Sequence, residues 1–79
     1  MDKGEFEALQ KRLTPGKLVK ATDIWDVNDF HVGIIDRVER CCFHDDGGTD
    51  MARVRIATLD SDPLFYDTDE YRFTAWGEE

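Results

Sequence analysis

Three groups of carboxylates are best placed, by number and spacing, to do chemistry. They are Asp23, Asp26 and Asp29; Asp45, Asp46 and Asp50; and Asp60, Asp62, Asp67, Asp69 and Glu70. Clustered carboxylates can hold a divalent cation or divide acid and base work between them. Cys41, Cys42 and His44 add softer ligands to the second group. The spacing argues against each use. Structural zinc sites take ligand pairs separated by two to four residues and repeated elsewhere in the chain. Here Cys41 and Cys42 are adjacent, and no other cysteine exists. The run Asp45-Asp46-Gly47-Gly48-Thr49-Asp50 lacks the alternating ligands, sixth-position Gly and distal Glu of a calcium loop. Hydrolytic carboxylate pairs need a cleft and one raised pKa, whereas the third group falls in segments that read as turns. Ser61, the only serine, precedes Asp62-Pro63 without a nucleophile-elbow context. Neither His31 nor His44 has triad partners in sequence, and there is no phosphate-binding glycine loop. The expectation is a protein with no catalytic residues, no metal site and no cofactor. A small carboxylate-dependent metal enzyme built on residues 60–70 stands as a further alternative.

The elements that must position these groups follow from local pattern. Residues 2–13 read as a helix, with Phe6, Leu9 and Leu13 at helical spacing and Asp2 and Glu5 placed as in a capping box. Thr14-Pro15-Gly16 ends it. Strands are then expected over 17–22, 30–39, 51–59, 64–66 and 71–76. In the second of them Phe30, Val32, Ile34 and Val38 are assigned to the core face. Asp36 breaks that alternation, so a bulge is expected near Ile35, and Gly33 marks a bend or a close backbone approach. In the third strand Val54 and Ile56 point inward, Arg53 and Arg55 outward. Phe30 is assigned to the core, while Trp25 stands in a loop between Asp23 and Asp26. Seventy-nine residues make one domain: the N-terminal helix over 2–13 and a five-stranded barrel over 15–76, mainly β in class.

The strand order resembles the SH3-like barrels, including KOW- and Tudor-type modules. The resemblance rests on Pro15-Gly16-Lys17-Leu18-Val19-Lys20-Ala21, on His31-Val32-Gly33-Ile34-Ile35, and on Tyr66-Asp67-Thr68-Asp69-Glu70-Tyr71-Arg72-Phe73. It is one of pattern, and barrels of this type host many functions. The Ala-Leu-Tyr-Asp-Tyr feature of peptide-binding SH3 domains is missing, so Pro-rich peptide binding is not implied. Tudor-like barrels can cage a methylated cation between aromatics, and Trp25, Phe30, Tyr66 and Tyr71 are the residues that this resemblance would put to such use.

Charge sets the expected partner. Residues 1–20 carry five basic and three acidic side chains, and residues 21–79 carry five basic and fifteen acidic ones, for a net charge of −8. Such a field repels nucleic acid and membranes and attracts basic partners. Direct nucleic-acid binding is disfavoured, because phosphate neutralisation drives that affinity; its candidate patch is Lys11, Arg12, Lys17, Lys20, Arg53 and Arg55. The expected function is a non-enzymatic protein-interaction module, with Asp60, Asp62, Asp67, Asp69, Glu70, Trp25, Asp23 and Asp26 as the docking residues. In size and acidity the chain resembles phage inhibitors that mimic nucleic acid, which implies a DNA- or RNA-binding protein as partner. No apolar stretch approaches the roughly 20 residues of a membrane helix, the N-terminus shows no apolar signal region, and the adjacent cysteines are expected to be free thiols. Together these predict a cytoplasmic protein.

Overall fold

The structure, a computed structural model, describes residues 1–59 and 62–76. One helix, α1 (Lys3–Arg12), precedes five strands: β1 (Leu18–Asp23), β2 (Phe30–Phe43), β3 (Thr49–Thr58), β4 (Leu64–Asp67) and β5 (Tyr71–Ala75). All neighbouring strands are antiparallel, in the order β4-β3-β2-β1-β5. The fold is mainly β. The sheet is not closed: among the described residues no ladder joins β4 to β5. Among the described residues no helix is long and apolar enough to cross a membrane.

The helix begins where its capping chemistry predicts. Asp2 is the N-cap, and its carboxylate accepts the Glu5 backbone N–H at 2.8 Å. Phe6, Leu9 and Leu13 all enter the core. There they join Val19 and Ala21 of β1, Ile35 of β2, Ala52, Val54 and Ile56 of β3, Tyr66 of β4 and Phe73 of β5. The helix is short and would not persist alone; its apolar stripe completes the small core that the open sheet leaves uncovered. Gly16, at φ +89°, reverses the chain after the helix, and its N–H donates to the Ile35 carbonyl at 2.7 Å.

β2 corrects one expectation and supports another. The register runs from Ile35 opposite Ile56 to Arg37 opposite Arg55, so Asp36 is the extra residue of a bulge. The bulge lies where the broken alternation put it, but the strand's faces are reversed ahead of it. Ile35 is buried, whereas Ile34 is 49% and Phe30 48% exposed, and Val32 is half-buried. Phe30 is therefore not a core residue; it lies beneath the Lys20 ammonium, 4.7 Å from the ring centroid. The inward residues ahead of the bulge are His31, Gly33 and Ile35, and the assignment failed because Gly33 shows no side chain on that parity. The glycine is required there. A Cβ on Gly33 would sit 2.6 Å from Ile56 Cγ2 and would run into the Ala57 carbonyl oxygen.

β2 and β3 also extend further than expected, to Phe43 and from Thr49, which shortens the long turn to His44–Gly48. β3 follows its assigned faces: Val54 and Ile56 are fully buried, and Arg53 and Arg55 point outward.

Candidate functional site

Two of the acidic turns meet at one end of the molecule. The β1–β2 loop, residues 23–29, is held by its own carboxylates. Asp23 Oδ1 accepts the Trp25 N–H at 2.8 Å and Asp26 Oδ1 accepts the Asn28 N–H at 3.0 Å, the two-residue reach that lets Asp stabilise a turn. The loop closes through Asp23 N–H to the Asp29 carbonyl at 2.9 Å. The β4–β5 turn, residues 68–70, is anchored by the Thr68 N–H to the Ala52 carbonyl and by the Ala52 N–H to Thr68 Oγ1, at 3.0 and 3.1 Å. One backbone bond joins the two segments: Ile24 N–H donates to the Glu70 carbonyl at 3.0 Å, next to the Asp23–Tyr71 strand pair.

This sets the turn that carries Asp67, Asp69 and Glu70 beside the loop that carries Asp23 and Asp26. Carboxylate oxygens of Asp67, Asp69 and Glu70 lie within 4.8 Å of one another, and Asp67 also pairs with Arg53 at 3.2 Å. Trp25 projects from the same loop and is 78% exposed. Asp62 is exposed and precedes β4, so it sits at the opposite end of that strand from the Asp67–Glu70 group. Asp60 lies outside the described residues.

Beneath the acidic rim lies an aromatic cluster that the sequence reading identified only in part. His31, Tyr66 and Tyr71 form a triangle with centroid separations of 5.2, 6.1 and 5.0 Å. His31 Nε2 approaches Asp29 Oδ1 at 3.2 Å. Trp25 and Phe30 do not join Tyr66 and Tyr71: Phe30 is on the outer face of the sheet and Trp25 on the loop. His31 takes their place, and its signal was the parity hidden by Gly33.

The rim acts on these phenols. Burial, then the nearby Asp29 carboxylate, raises the Tyr66 pKa; burial, then Asp29, Asp23, Tyr66 and Glu70, raises that of Tyr71. A raised folded-state value favours the neutral phenol. The stabilisation is therefore complete below the unfolded value of about 10 and is lost as pH rises through the folded values. A phenolate absorbance titration should show both tyrosines ionising above pH ~10, with the urea midpoint falling over the same range. Ionisation of either at its unfolded value would contradict the acid-rimmed cluster.

The remaining candidates separate. Cys42, near the end of β2, has a left-handed backbone at φ +61°, and its Sγ lies 3.7 Å from Cys41 Sγ. The neighbouring Cys41 thiol, together with Asp50, pushes the Cys42 pKa up. His44 Nε2 meets Asp50 Oδ1 at 2.6 Å. The expected basic patch does not assemble as one unit. Lys17 Nζ donates to the Arg12 carbonyl at 3.2 Å, and Lys20 lies over Phe30. Arg53 and Arg55 gather instead with Arg37 around Phe65. Comparison of the chain with protein-family models, with curated proteins and with solved structures returned no match.

Proposed function

We propose that this protein is a non-enzymatic interaction module whose acidic end docks a basic partner. The observation that carries the reading is the Ile24–Glu70 backbone bond, which ties the two Asp-rich turns together beside an exposed Trp25. Like charges gathered on rigid turns raise the local potential and speed encounter with a cationic surface, and an exposed aromatic among them is the residue type that anchors interfaces. In the sharper form of the proposal the partner is a DNA- or RNA-binding protein and the carboxylates stand in for phosphates. The strand order β4-β3-β2-β1-β5 supports an SH3-like barrel as the scaffold. Direct nucleic-acid binding by the acidic end is opposed by the net charge of −8.

The His31–Tyr66–Tyr71 triangle favours a second reading of the same face, in which a cationic side chain of the partner seats over the ring face of half-buried Tyr71 under the carboxylate rim. The test common to both is the Asp67→Asn, Asp69→Asn, Glu70→Gln variant. It should keep its fold, because Asp69 and Glu70 are exposed and a surface ion pair such as Asp67–Arg53 contributes little to stability, and lose association rate with a captured basic partner.

A further inference from the structure

The outer face of the sheet carries an apolar row that the core does not use. Trp76 N–H donates to the Leu18 carbonyl at 3.2 Å, Leu18 pairs with Ile34, and Ile34 pairs with Ala57. The row therefore crosses four neighbouring segments of chain. Trp76 is 50%, Ile34 49% and Leu18 43% exposed. Half-buried Val32, opposite Lys20, and exposed Phe30 extend it along β2. Contiguous apolar surface of this kind marks an interaction site on a soluble chain.

Past the bulge the same face changes character. Arg37, Arg55 and Phe65 form the next row, since Arg37 pairs with Arg55 and Arg55 with Phe65. The guanidinium carbons of Arg37, Arg53 and Arg55 lie 5.9, 6.0 and 5.9 Å from the Phe65 ring centroid. Each arginine is held by a carboxylate of the same patch. Arg37 meets Asp36 at 3.6 Å and also pairs with Glu39; Arg55 meets Asp36 at 3.5 Å; and Arg53 meets Asp67 at 3.2 Å. Three cations and three anions thus border the row past the bulge, and Lys20 over Phe30 adds a cation at its other end, in a chain whose net charge is −8.

A two-fold interface sets each surface against itself, so its charges must complement their own image. A purely acidic face cannot satisfy that, whereas an apolar centre bordered by charges of both signs can. We infer that the outer sheet face is the interface with a second copy of this chain, with Leu18, Ile34 and Trp76 at its centre and the Phe65 arginine cluster at its border. Asp67, through its pair with Arg53, belongs to both this border and the acidic end, whereas the apolar centre at Leu18, Ile34 and Trp76 shares no residue with that end.

Sedimentation equilibrium tests the proposal. Wild-type protein at submillimolar concentration should show twice the 9.1 kDa chain mass. Two copies each bearing −8 repel one another at long range, so dimer should increase between about 0.01 and about 1 M salt, as the Debye length falls from about 30 to about 3 Å. Ile34→Asp, at an exposed position, should leave the circular dichroism spectrum unchanged and raise the dimer dissociation constant about 100-fold, because symmetry places two copies of the change in the interface. It should leave association with a basic partner intact, which separates failure here from failure of the acidic-face reading. A wild-type mass of 9.1 kDa at every salt concentration would overturn the proposal, as would a dimer insensitive to Ile34→Asp. A dimer that dissociates as salt rises would overturn it too, by pointing to acidic turns docked on arginines.

Discussion

Gly33→Ala is expected to cost this fold about 3 kcal/mol, at the upper end of what overpacking usually exacts. The added methyl would meet backbone rather than a flexible side chain: the Ala57 carbonyl oxygen stands in its place, the Ala57 carbonyl carbon is 2.9 Å away, and Ile56 Cγ2 is 2.6 Å away. Relief requires β2 and β3 to part at their Gly33–Thr58 pair, which strains the longest ladder of the sheet. Small domains hold only about 5–15 kcal/mol in total, so a loss of this size should be plain in a urea titration. The midpoint should fall with little change in slope. A midpoint within about 0.5 kcal/mol of wild type would mean that the two strands do not approach as closely as described.

Leu13→Ala is expected to be comparably severe, at about 2–5 kcal/mol. Leu13 is the C-cap of α1 and is almost wholly buried. It belongs to one core cluster with Phe73 of β5, against which Val38 of β2 also packs, so it joins the end of the helix to the sheet. The truncation leaves a cavity under an element that depends on docking for its existence. Helical ellipticity should therefore be lost at lower urea than in the wild type, together with the sheet signal if the domain unfolds as one unit. A cost below about 1 kcal/mol would show the helix to be peripheral to the core.

Much of this architecture was legible in the residues. The helix was marked by Asp2, Glu5 and the Phe6-Leu9-Leu13 spacing, and each of those residues does in the structure what the pattern implied, save that Glu5 enters the cap through its backbone N–H. The faces of β3 were unambiguous because Val54 and Ile56 alternate with arginines. β2 was different. Val32 and Ile34 on one parity and Ile35 on the other are all apolar, and the inward parity includes a glycine and a histidine. Hydrophobicity alone chose the wrong face, and only the close contact with Ala57 explains why Gly33 must point inward.

The acidic groups were visible as runs, but their grouping in space was not. Residues 23–29 and 67–70 are joined by a backbone bond that side-chain identity does not encode, and Asp62, only five residues before Asp67, is carried to the other end of β4. Net charge likewise averages over the chain. It conceals the fact that three of the five cations beyond residue 20 converge on Phe65.

We propose the acidic end as a docking face. Its most direct test is the association rate with a captured basic partner, measured across a salt series for wild type and for the Asp67→Asn, Asp69→Asn, Glu70→Gln variant. Steering by exposed carboxylates predicts a wild-type rate that falls steeply as salt rises, and a variant that starts slower and falls less. Equal rates and equal salt slopes for the two proteins would rule out docking through the Asp67–Glu70 turn.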